Sequence, residues 1–313
     1  MKFGNNTLAP LLLFVYNRPV YTQRVLDALA SNPEAGNSLL YIYCDGAKAG
    51  ANENILQKIE KTREIVRAEY RFKEVIIIEQ DYNKGLANSV ISGVSDVCNK
   101  HGSVIVLEDD IVTSPFFLRY MNDALEIYKH ISNVTTISGY WYPTTGELPE
   151  TFFLKTPACW GWATWARAWK TFENDGNKLL SELKEKKLTR KFDLNGSIKY
   201  TRMLEEQILG KNNSWAIKWD AMNFINNNMC LYPGKSLVQN IGFEGDGVHS
   251  AKENYYDASL SEKAIIVSLL PVEECSIALK ALMQFYKKIN RANLIQRIKR
   301  LSSLFKFNKT EKT

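Results

Sequence analysis

Over the first 140 residues, short uninterrupted apolar runs alternate with stretches in which apolar residues recur at helical spacing. The runs at 8–16, 39–44, 74–78 and 104–107 read as strands, 134–138 reads as a further strand, and the stretches at 21–30, 55–70, about 86–100 and about 115–130 read as helices. Ser114-Pro115 is a start signal for the last of these, a cap followed by proline at the first helical position. Strands that are apolar throughout, rather than alternating, are buried on both faces, so the pattern predicts an open, mainly parallel α/β sheet flanked by helices. In such sheets function gathers at the carboxyl ends of the strands.

Past Gly139 the pattern changes to aromatic loops and short helices, expected to cover the strand ends. Trp162, Trp165 and Trp169 fall at helical spacing there, the spacing of a helix packed on a core. No repeat or low-complexity linker interrupts residues 1–270, which are expected to form one compact unit with halves at about 1–140 and 141–270. The one boundary falls near Pro271. Residues 271–313 form a basic tail in which Ile289, Ala292, Leu294, Ile295, Ile298, Leu301, Leu304 and Phe305 recur at helical spacing with cations between them, the pattern of a C-terminal amphipathic helix.

Charge sharpens that division. The chain carries a net +6, yet residues 280–313 hold ten Lys or Arg against one acid, so the body is mildly acidic. The tail suits either an anionic membrane surface or docking on the body with its basic face solvated. Nucleic acid is not expected, because nothing in the body supplies a second basic patch. The longest apolar run near the start is too short to cross a bilayer and lacks the flanks of a signal peptide, which points to the cytoplasm, with peripheral attachment to the inner face of the cell membrane through the tail. Five cysteines with no C-x-x-C pair read as thiols of a reducing compartment.

The chemistry concentrates at 104–111, where Val104-Ile105-Val106-Leu107 runs into Glu108-Asp109-Asp110. Three adjacent carboxylates repel one another, and placing them where a buried strand leaves its sheet costs free energy unless a cation or a donor-rich ligand compensates. A divalent metal bridging to phosphate is the natural partner; an acidic surface turn is the alternative. Asn17-Arg18 follows the first strand and Asp45 the second, a layout that suits a nucleotide. Arg18 either meets a phosphate or caps its turn. Asp45 either accepts from a base or ribose or forms the turn before Gly46. Lys84, beside Gly85 at a helix start, either meets phosphate or is merely exposed. Neither G-x-G-x-x-G nor G-x-x-x-x-G-K-[ST] is present, which disfavours dinucleotide oxidoreductases and P-loop enzymes. Trp160 and Trp162 flank a glycine, where an indole can stack on the apolar face of a sugar.

The set Phe14-Val15-Tyr16-Asn17-Arg18-Pro19, Asp45-Gly46, Asn83-Lys84-Gly85-Leu86-Ala87, Leu107-Glu108-Asp109-Asp110, Cys159-Trp160-Gly161-Trp162-Ala163-Thr164-Trp165 and Asn240-Ile241-Gly242-Phe243 resembles bacterial GT-A glycosyltransferases related to N-acetylglucosaminyltransferase I, over about residues 8 to 250. The resemblance implies a GT-A fold with a nucleotide-sugar half and an acceptor half. It implies an acidic motif that holds Mn²⁺ or Mg²⁺ against the diphosphate of a nucleotide sugar, with Asp110 as direct ligand and Glu108 and Asp109 serving ribose, sugar or supporting roles. His249, one of three histidines, stands where several such enzymes complete the metal site with a late histidine; a local hydrogen bond is its other reading. Asp220, in Trp219-Asp220, stands where the family places such a pair at a helix start, and is either the base of an inverting transfer or a helix cap, with Glu206 the next candidate. The expected activity is transfer from a nucleotide sugar, a UDP-sugar first, to a lipid-linked or surface glycan such as lipopolysaccharide, O-antigen or capsule. The rivals are a sugar nucleotidyltransferase, whose glycine- and arginine-rich first loop is missing from residues 14–19, and a membrane-associated carbohydrate-binding module, which would leave the carboxylates unexplained.

Overall fold

The computed structural model describes residues 8–243 and 255–310. Four strand-helix steps open the chain: β1 (Leu11–Val15) with α1 (Pro19–Ala30), β2 (Leu39–Cys44) with α2 (Glu53–Val66), β3 (Glu74–Glu79) with α3 (Leu86–His101), and β4 (Ser103–Glu108), whose short extension β5 (Ile111–Thr113) precedes α4 (Phe117–Ile127). Then come β6 (Val134–Ser138), β7 (Thr151–Leu154) and β8 (Trp162–Trp165), followed by five helices, α5 (Ala166–Trp169), α6 (Gly176–Glu185), α7 (Thr189–Phe192), α8 (Tyr200–Ile208) and α9 (Ala216–Ile225). Strands β9 (Met229–Pro233) and β10 (Val238–Asn240) and the long α10 (Ser276–Thr310) complete the order.

Eight strands form one sheet in the order β3-β2-β1-β4-β8-β6-β9-β7. All run the same way except β8 and β7. Alternate residues divide between two cores, as the pleat requires. Leu11, Leu13 and Val15 of β1 pack with Val25, Leu26 and Leu29 of α1 and with α4 and α10, while Leu12 and Phe14 pack on the other face with Val90 and Val94 of α3 and the helices α5 to α9. Helices cover both faces, which is why β1, β2 and β4 carry uninterrupted apolar runs. The protein is therefore a mixed α/β molecule with a mostly parallel sheet between helices, consistent with the Rossmann-like, GT-A type of architecture.

The halves of the sequence interleave in this sheet. Strand β8, from the aromatic half, is inserted between β4 and β6, with Trp162 opposite Val106 on one side and Ser138 on the other. This overturns the helical reading of Trp162 and Trp165: they lie on a strand and face opposite cores. The helical spacing arose because the strand runs straight into α5, which carries Trp169. Helix α4 also starts later than Ser114-Pro115 suggests. Ser114 Oγ accepts from the Phe116 amide at 3.3 Å and its carbonyl from Phe117 at 3.2 Å, so this pair turns the chain before the helix begins.

The tail is less separate than its composition implies, since Ala278, Leu282, Phe285, Tyr286 and Ile289 of α10 are buried in the same core as β1 and β7. Among the described residues no helix is long and apolar enough to cross a membrane.

Trp162 is only 1% exposed and packs against Trp169, Trp215 and Trp219. Its assignment as a sugar platform is corrected accordingly: a ligand cannot reach an indole sealed between sheet and helices. Trp162→Ala is expected to cost about 3–5 kcal/mol in denaturant unfolding; a loss below about 1 kcal/mol would show that the indole is not a core residue.

Candidate active site

The carboxylate cluster forms where β4 leaves the sheet. Glu108 is the last residue of β4, in register with Phe14 of β1, and Asp109 and Asp110 make the turn into β5. The end of β1 supplies the counter-charge. Arg18 Nη1 lies 2.7 Å from Asp110 Oδ2 and 3.6 Å from Asp109 Oδ1, and the Tyr16 amide donates to Asp109 Oδ2 at 3.3 Å. Asn17 lies between these two residues on the same edge. Burial, reinforced by Asp110 and Asp109, pushes Glu108 up to about 8. Burial also pushes Asp109 up to about 7 even though Arg18 pulls the other way. The cluster is thus short of positive charge.

Among the described residues no three His, Cys, Asp or Glu side chains converge to hold a metal unaided. His249 lies outside the described residues. The donor set nevertheless fits a shared cation. Asp109 and Asp110 already converge on one positive group, the Arg18 guanidinium, and one or two carboxylates completed by substrate phosphates are the usual setting for Mg²⁺. Backbone also approaches closely on this side. The Ile241 amide donates to the Asp110 carbonyl at 2.9 Å, and a Cβ on Gly242 would lie 2.3 Å from Asp110 Oδ2, so any other residue there displaces the carboxylate.

Asp45 is already engaged. Its Oδ1 accepts from the Gly46 and Lys84 amides at 3.0 and 2.8 Å, and its Oδ2 from the Gly85 amide at 3.0 Å, so it fastens the loop that starts α3. These contacts match the turn-forming reading of Asp45 and hold the Lys84 backbone against that strand end.

Next to this edge opens a cavity of about 290 Å³. Tyr140 and Tyr142 reach it from the chain after β6, Trp160 from the turn before β8, Tyr200 and Met203 from α8, Asp220 from α9, Phe243 from beyond β10, and Tyr286 from α10. The rings lock one another edge-on: Trp160 packs on Tyr140 at 4.7 Å between centroids and on Phe243 at 6.1 Å. A chain of hydroxyls closes one wall, Tyr286 donating to Tyr142 at 3.0 Å and standing 3.2 Å from the Tyr200 oxygen.

Among the described residues Asp220 carries the one carboxyl of this lining. It is the fifth residue of α9, not its cap, it is 5% exposed, and its Oδ1 has no hydrogen-bond partner. Burial alone holds its carboxyl well above the usual carboxylate range. A buried oxygen left unsatisfied costs about 1–3 kcal/mol, so the fold bears this group at a loss unless a ligand donates to it. Glu206 turns instead to Arg202, 2.8 Å away on α8, and does not line the cavity; the geometry removes it as a candidate base.

The edge and the cavity meet in one short segment. Gly242 lies against Asp110 and its neighbour Phe243 lines the cavity, while Cys159 of the lining is within electrostatic reach of both Glu108 and Asp220. Sequence reading missed Tyr140, Tyr142, Tyr200 and Tyr286. The run Tyr140-Trp141-Tyr142 directly after a strand was a usable sign, whereas Tyr286 was hidden in a tail that looked detached.

No family model matches this chain, and no curated protein does either. Among solved structures it is similar to the crystal structure of S. aureus TarS, at 14% identity, over 45% of this chain and 23% of that one, with a TM-score of 0.28. So loose a likeness carries no argument about function.

Because the fold raises the Asp220 pKa, the native state binds a proton there that the unfolded chain has released, and stability falls as pH rises from about 4 toward the raised value. Asp220→Asn removes that slope. Thermal unfolding of the variant at neutral pH is expected at or above the wild-type midpoint, with a flatter dependence on pH; a large destabilisation would mean that the carboxyl has a structural partner.

Proposed function

We propose that this chain is a metal-dependent, inverting glycosyltransferase that moves a sugar from a nucleotide donor, a UDP-sugar first, to a glycan acceptor of the lipid-linked or surface type. The observation that carries the reading is the junction at Gly242-Phe243, which sets the paired carboxylates Asp109 and Asp110 beside an aromatic cavity holding a buried, unsatisfied Asp220. One place suits a diphosphate with its cation and the adjoining place suits a sugar ring, the two needs of this reaction.

In this reading Asp110 and the late His249 would hold the divalent cation, with Asp109 in support, and its positive charge would stabilise the departing diphosphate. Arg18, 44% exposed at its side chain, is placed to exchange its carboxylate partners for phosphate oxygens. Asn17, Lys84 and Glu108 line the donor's side of the edge. In the cavity Trp160 offers an indole face to a sugar ring. Asp220 takes the proton of the acceptor hydroxyl as that oxygen bonds to the anomeric carbon and the bond to the diphosphate breaks. Only the ionised form of Asp220 can do so, and since burial favours the protonated carboxyl, transfer is expected to rise with pH as that proton is lost.

The test is calorimetric titration with UDP, GDP, dTDP and CMP, with Mn²⁺ and then with EDTA. One nucleotide is expected to bind only with metal, and more tightly as pH rises from about 6 to 8, because the cation displaces protons from Glu108 and Asp109. Asp110→Ala is expected to lose that binding while staying folded. Asp220→Asn should keep it and lose transfer by about a hundredfold or more. Nucleotide affinity unchanged in the first variant, or normal turnover in the second, would contradict the assignments, and no binding to any nucleotide would favour a carbohydrate-binding module.

A further inference from the structure

Helix α10 runs unbroken over Ser276–Thr310, and its surroundings change along the part up to residue 295. The first part is built into the body. Phe285 and Ile289 are buried in the main core, the Tyr286 hydroxyl joins Tyr142 and Tyr200 in the cavity wall, and Asn290 Nδ2 donates to the Ser197 carbonyl at 2.8 Å. Lys287, Lys288 and Arg291 are exposed, as are Leu294 and Ile295 at 57% and 45%. From residue 287 to the end the sequence carries nine Lys or Arg and a single acid, Glu311, with apolar residues continuing at helical spacing.

We infer that the distal part of α10 is an interfacial anchor for an anionic lipid surface, and that it holds the mouth of the Tyr286 cavity next to that surface. Charge complementarity selects the occupant. A stretch with nine cations and one acid repels a second copy of itself, whereas each cation near an anionic bilayer raises affinity several-fold, and the exposed apolar pair adds insertion between headgroups. At 1.5 Å of rise per residue, Leu294 stands roughly 12 Å along the helix axis from Tyr286. Tyr286 of the cavity wall and the start of the anchor therefore lie on one continuous helix, about two turns apart. Taken with the glycosyltransferase reading, on which this last step alone rests, the placement assigns the acceptor to the class of glycans carried on a lipid.

The anchor is tested without any activity, by co-sedimenting the full chain with vesicles of phosphatidylcholine alone or with an equal part of phosphatidylglycerol. The full chain is expected to pellet only with the anionic vesicles and to be released by high salt. The variant K287Q/K288Q/R291Q should bind them at least tenfold more weakly, while Y286F, altered only in the cavity wall, should bind as the wild type does. Hydrogen exchange should slow in residues 291–310 on binding, with 276–290 unchanged. Equal pelleting with both lipids, or undiminished binding by the triple variant, would overturn the inference. So would a dimer in light scattering that the triple variant dissolves, or a preference for RNA over vesicles. Failure of the donor reading shows separately, as loss of metal-dependent nucleotide binding in solution.

Discussion

Much of this structure follows from one electrostatic constraint: three consecutive carboxylates end a strand that is buried on both faces. Burial pushes Glu108 and Asp109 up toward neutrality, Asp110 adds to both, and among the described residues the fold answers with one guanidinium, Arg18, held by the turn after the neighbouring strand. One cation against three acids leaves a deficit. Such a deficit is costly in a structural turn and useful in a site that takes up a cation together with a polyanion. The local backbone keeps room for that exchange, since Gly242 leaves space at Asp110 where any Cβ would push the carboxylate aside.

The second unpaid group is Asp220. Its partner in sequence, Trp219, is wholly buried in the core beneath the sheet and donates to Thr136 Oγ1 at 3.1 Å, which fixes α9 and turns Asp220 toward the cavity. Aromatic rings that brace one another edge-on hold the cavity open, and the hydroxyls of Tyr142, Tyr200 and Tyr286 tie three distant segments into one wall. Low dielectric raises the cost of an orphaned carboxyl and raises its value as a proton acceptor by the same physics. Both features, an under-neutralised edge and an unsatisfied buried acid, meet at Gly242-Phe243.

How much of this was legible in the sequence depends on the range of the interaction. The first four sheet strands and the helices between them were readable because they write themselves as apolar runs, and Glu108-Asp109-Asp110 stood out against that background. Trp162 misled, because a strand that runs straight into a short helix imitates helical spacing. Glu206 misled because an exposed pairing with Arg202 looks the same in sequence as a free acid. The tyrosine wall was not legible at all, since Tyr142 and Tyr286 are 144 positions apart and only the fold joins them. Asp220 was legible only through its resemblance to a family pattern; its burial is a tertiary fact.

The most direct test is anomalous diffraction at the manganese edge from crystals grown with Mn²⁺ and the preferred nucleotide. The account predicts a single strong peak at Asp110, with the diphosphate on its open side and the Arg18 guanidinium withdrawn from the carboxylates. A peak elsewhere, or a nucleotide bound with Arg18 still on Asp110 and no metal between them, would contradict it.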